Sequence, residues 1–114
     1  MLTLEKLKAF GADTDEGLAR CMNNEDFYLK MVGMGIADER FESIKGVLEQ
    51  KDWDGAFEMA HALKGVLGNL ALTPIYEPMS EMTELLRAKD TNADYLSYYN
   101  TMKGQLDKLK AIIS

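Results

Sequence analysis

Cysteine and histidine each occur once in this chain. Cys21 has no intramolecular partner, so a disulfide is excluded. One Cys and one His also cannot make a structural zinc site. A reducing, cytoplasmic setting fits such a chain. Long apolar runs are missing, and no transmembrane span is expected. The opening Met-Leu-Thr-Leu-Glu-Lys-Leu-Lys lacks the continuous apolar core of a signal peptide. Positive charge is not in excess: the net charge is −6. That argues against non-specific nucleic-acid binding, because phosphate contacts need a basic face. A P-loop glycine-lysine motif is absent, so ATP binding of that kind is not expected. No segment alternates with the period of a strand, and there is neither an internal repeat nor a low-complexity linker.

What is there is helical periodicity. At 114 residues the chain is expected to be a single domain, 1–114, long enough to bury a core without covalent staples. Leu2, Leu4, Leu7 and Phe10 predict a short helix that Gly11 ends. Thr14, with Asp15 and Glu16 behind it, reads as the N-cap of a second short helix through Leu18 and Met22. Asn24, Glu25 and Asp26 start the next element. Its apolar residues Phe27, Met31, Met34, Ala37, Phe41, Ile44 and Leu48 predict one long helix to about Gln50. Gly33 and Gly35 could bend it, or Asp38 could restart it.

Asp52 or Asp54 caps a helix running to about Leu72. Thr73 as N-cap and Pro74 as first helical residue open the next, with Ile75, Met79, Met82 and Leu86 as its buried stripe. Pro78 removes a donor early in that helix and is expected to delay its regular turns. Thr91 and Asp94 resemble a capping box for a last helix through Tyr95, Tyr99, Met102, Leu106, Leu109 and Ile113. The methionines read as core filler. The whole describes an all-α antiparallel four-helix bundle over about 24–113, with one or two short helices before it at about 2–22.

The helix that carries the lone histidine organises the rest. At about 100° per residue, Ala56, Ala60, Leu63, Leu67 and Leu70 fall in one narrow buried stripe. His61 projects roughly 130–140° from its centre, outward. Lys64 flanks it one turn on, and Gly65 and Gly68 follow on the same side. A titratable ring therefore stands on an exposed face, beside a cation, with almost no side-chain bulk above it. Phe57 is the candidate for an apolar docking patch next to it. With no Ser or Cys nucleophile close in sequence and no second His, imidazole acting alone as a nucleophile is the chemistry that remains.

The wording Ala60-His61-Ala62-Leu63-Lys64-Gly65 resembles the phosphoacceptor signature of histidine-containing phosphotransfer (HPt) domains. Residues Gly17 to Tyr28 resemble that family's N-terminal segment. Lys51-Asp52-Trp53-Asp54 resembles the turn before its histidine helix, and Gly68-Asn69-Leu70-Ala71 the stretch after the histidine.

The resemblance spans roughly residues 14–113. It implies a phosphoryl relay in which Nε2 of His61 accepts from, and returns to, receiver-domain aspartates. Lys64 would offset the phosphoryl charge, and Gly65, Gly68 and Phe57 would meet the partner. Thr83, with Glu84 beside it, would hydrogen-bond the ring from the next helix. The partners implied are response-regulator receivers or a hybrid sensor kinase. Mg²⁺ would be supplied by the receiver, and the chain itself would need neither metal nor cofactor. It would act as a monomeric carrier without turnover of its own. A reading from another class is a helical-bundle adaptor that binds a receiver or kinase without carrying phosphate; a third is a domain excised from a hybrid kinase.

Overall fold

The computed structural model describes residues 1–113. Helices α1 (Leu4–Phe10), α2 (Thr14–Arg20), α3 (Glu25–Ile36), α4 (Arg40–Glu49), α5 (Trp53–Asn69), α6 (Thr73–Arg87) and α7 (Tyr95–Ile113) account for its regular structure, with no strand among the described residues. α4 to α7 form the four-helix bundle: α5 packs on α6, α6 on α7, and α4 lies against both α5 and α7. Tight turns join them. Lys51, Ala71 and Lys89 each adopt a left-handed φ, of 58°, 55° and 59°, just past a helix end, where such a residue redirects the chain.

The stripes of α5, α6 and α7 are buried as their spacing predicts. Ala56, Ala60, Leu63 and Leu67 are fully enclosed, as are Ile75, Met79, Met82, Met102, Leu106 and Leu109. Trp53 meets Tyr95 with ring centroids 5.1 Å apart at one end of the bundle.

The region 24–50 departs from the single long helix. It breaks at 37–39, and the chain restarts where Asp38 accepts from the backbone N–H of Arg40 at 2.9 Å and pairs with its guanidinium at 2.6 Å. The Arg40 hydrogen bond holds the Asp38 carboxyl below its usual range. The phase of α3 also differs from the expected one. Tyr28, Val32 and Ile36 are buried, whereas Phe27 is 43% and Met34 60% exposed, and Ala37 is exposed too. Met31 is half-buried. Two contacts fix that phase. Tyr28 donates its hydroxyl to the Leu70 carbonyl at 2.8 Å, and Gly35 brings α3 so close to α5 that an added Cβ would lie 2.6 Å from Leu70 Cδ1.

Capping shifts three helix starts by a few residues at most. Asp13, not Thr14, caps α2, accepting from Glu16 N–H. Leu72 takes the cap position of α6 with no side-chain bond, so Thr73 is already helical. Asp94, not Thr91, caps α7 by accepting from Ser97 N–H. Asn24 and Asp52 cap α3 and α5 as expected, the latter helix ending at Asn69 rather than Leu72. Pro78 sits inside α6 without delaying it, since the helix runs unbroken from Thr73.

Candidate functional site

α5 presents its buried face to α4 and α6, and this leaves His61 exposed. One turn earlier Phe57 is half-buried, and the His61 ring stacks on it, centroids 5.6 Å apart and planes 15° from parallel. The Arg87 guanidinium carbon, from the end of α6, lies 5.0 Å from the centroid of the same Phe57 ring. Phe57 thus has the His61 ring and the Arg87 guanidinium against it.

Lys64 is held from across the helix boundary. Its Nζ stands 3.0 Å from Oε1 of Glu84, while Oε2 of Glu84 is 3.3 Å from Nε of Arg87. The two cations hold the Glu84 carboxyl below its ordinary range, the hydrogen bond from Lys64 being the larger cause. His61, Phe57, Arg87, Glu84 and Lys64 make one connected cluster on the α5–α6 face.

The two glycines differ in what surrounds them. Space above Gly65 is open: an added Cβ there meets nothing within 4 Å. At Gly68 a Cβ would come 3.3 Å from Cε2 of Tyr76 on α6, so close helix packing already accounts for that glycine. Both line a groove of about 510 Å³ with His61 and Lys64, walled by Tyr76 and by Arg20 of α2. Arg20 is pinned there by Glu16 at 2.9 Å and by Asn69 Oδ1 at 3.4 Å.

Thr83 does not make the expected ring bond. It is fully buried, and its hydroxyl donates to the Met79 carbonyl at 2.7 Å. The packing of α6 on α5 turns that position inward and leaves its neighbour Glu84 to face the site. No group of three or more His, Cys, Asp and Glu side chains converges as a metal site among the described residues.

A family model described as "Hpt domain" matches residues 36–112, from the end of α3 to near the end of α7. The chain belongs to the Hpt domain family. Neither the curated proteins nor the solved structures contain a match. At family level an Hpt domain carries phosphoryl groups on histidine in two-component relays, working with receiver domains and kinases. It is a phosphocarrier module rather than a conventional enzyme.

The Hpt match covers α4 to α6, α7 as far as Ile112, and the cluster of His61, Phe57, Lys64, Glu84 and Arg87. α1, α2 and nearly all of α3 lie before it. Arg20 therefore reaches the groove from outside the matched residues. Arg87 and Arg20 are the site residues that sequence reasoning missed, and Glu84 was placed only as the neighbour of Thr83. Each comes from another helix, and the local signals were ion-pair spacings alone, Glu84 with Arg87 at i,i+3 and Glu16 with Arg20 at i,i+4. No helix among the described residues is long and apolar enough to cross a membrane.

Proposed function

We propose that this chain relays a phosphoryl group between receiver-domain aspartates through Nε2 of His61. The observation that carries the reading is an exposed imidazole, stacked on Phe57 and flanked by Lys64, beneath the open space over Gly65.

The neutral ring uses its unprotonated nitrogen as the nucleophile. The P–Nε2 bond forms as the bond from phosphorus to the aspartyl oxygen breaks, and the aspartate leaves as a carboxylate. The reverse step passes the group to the next receiver. Such a transfer needs in-line approach and charge neutralisation more than covalent help from the carrier. Phe57 orients the ring for that approach. Lys64 supplies positive charge beside the equatorial oxygens. Gly65 admits the receiver's surface close to the ring, and Gly68 keeps the next turn low while α6 packs against it. Mg²⁺ acts from the receiver's side of the complex, and this chain contributes only side chains. The carrier works as a monomer in the cytoplasm.

The test is a round trip. A receiver carrying labelled phosphoryl is mixed with this protein, removed, and replaced by a second, unlabelled receiver. The label is expected to move on to the second receiver through wild type and not through His61→Gln. Binding of receivers with no label transferred by wild type would support the adaptor reading instead.

A further inference from the structure

Glu84 is neither part of the histidine signature nor buried, yet it contacts both Lys64 and Arg87. One carboxylate oxygen is 3.0 Å from Lys64 and the other 3.3 Å from Arg87. Arg87 in turn lies over Phe57, on which His61 stacks. Lys64 is the cation one helical turn from His61. In the bare protein its ammonium is already committed to another anion.

A phosphoryl group on Nε2 changes the competition. It brings roughly two negative charges and strong acceptor oxygens, against the single charge of Glu84. Lys64 and Arg87 together cannot neutralise both anions. With a phosphoryl group present, the cluster of Lys64, Arg87, Glu84 and phosphoryl-His61 carries a net negative charge; without the Glu84 carboxylate it would be close to neutral.

We propose that Glu84 is a positioning residue that holds Lys64 while His61 is bare and competes with the phosphoryl group for it once His61 is loaded. The competition weakens the loaded state and keeps the phosphoryl group transferable. This inference rests on His61 being the phosphoacceptor.

The test needs no receiver. Potassium phosphoramidate loads histidine chemically: the ring nitrogen attacks phosphorus, the P–N bond to ammonia breaks, and ammonia leaves. Decay is followed by intact mass. Water attacks phosphorus, the P–Nε2 bond breaks, inorganic phosphate departs, and the ring nitrogen takes up a proton. Glu84→Gln keeps the shape and removes the charge. It is expected to lengthen the half-life of phosphoryl-His61 about fivefold, the upper end of what an exposed ion pair supplies. Glu84→Asp, which retains the charge, should stay near wild type. In a Lys64→Met background Glu84→Gln should lengthen the half-life less, because only the Arg87 partner is then released, and in high salt its effect should shrink.

An unchanged half-life in Glu84→Gln would overturn the proposal. So would the same lengthening in the Lys64→Met background, or a wild-type His61 that phosphoramidate leaves unmodified. The relay reading fails separately: receivers that never label a chemically loadable His61 would contradict it and leave the Glu84 result standing.

Discussion

At the scale of single residues, His61 takes its orientation from Phe57 and its charge environment from Lys64, Glu84 and Arg87. Its outward direction, and the companionship of Lys64 and Gly65, were legible in the sequence because all of them lie on one helix with fixed angular spacing. Thr83 was misread because the register between two helices is set by packing, and one residue separates a buried hydroxyl from an exposed carboxylate.

A second residue-scale contact is buried. Tyr28 donates to the Leu70 carbonyl at 2.8 Å, and burial pushes its phenol up to about 12. Tyr28→Phe is expected to lose about 1 kcal/mol, the usual net worth of such a bond, read by urea unfolding at neutral pH. The pH sign follows from the direction of the shift. The folded phenol keeps its proton better than the unfolded one, so its contribution is complete below pH 10 and lost as pH rises through about 12. Wild type should lose stability across that window, and Tyr28→Phe should lose less.

At the scale of elements, the glycines sort by what they touch. In α2, a Cβ at Gly17 would lie 2.4 Å from the Tyr28 ring, which the bond to Leu70 holds in place. Gly17→Ala should therefore destabilise by about 1–3 kcal/mol through overpacking. Gly33, on the outer side of α3, meets nothing within 4 Å, and Gly33→Ala should stabilise by about 1 kcal/mol from helix propensity alone. Thermal unfolding of the pair checks both signs. Gly65 is as open as Gly33, so no packing in the fold demands a glycine there. Gly65→Leu is expected to fold normally by circular dichroism and to block transfer from a receiver, whose surface would meet the new side chain. Normal transfer by that variant would remove Gly65 from the site.

The stripes of α5, α6 and α7 were readable because polar residues bracket them. α3 was not. From Phe27 to Ile36 nearly every residue is apolar or glycine, so two phases fit the spacing equally. The choice was made by Tyr28 and Gly35, whose partners Val66 and Leu70 lie on α5 and at its C-terminal cap. The break at Asp38 was among the sequence alternatives, and the local bond to Arg40 decided it.

At the scale of the molecule, the bundle of α4 to α7 is a scaffold that turns one face of α5 outward and surrounds it with charges from α6 and α2. Those before the family match, α1 to α3, are joined to the bundle through Tyr28 and Leu70 and through the Met1 ammonium, which donates to Ile113 O at 2.7 Å. The bundle architecture was legible from periodicity and turn residues alone. The groove was not, because Arg20 reaches it only through the tertiary fold.

The central claim is that His61 is where this chain carries phosphate. The most direct measurement is intact-mass analysis after incubation with phosphorylated receiver domains, with the label then challenged by acid and by base. The account predicts one phosphoryl group per chain in wild type, lost in acid, kept in base, and absent from His61→Gln. A label that survives acid, or one that His61→Gln still acquires, would contradict it.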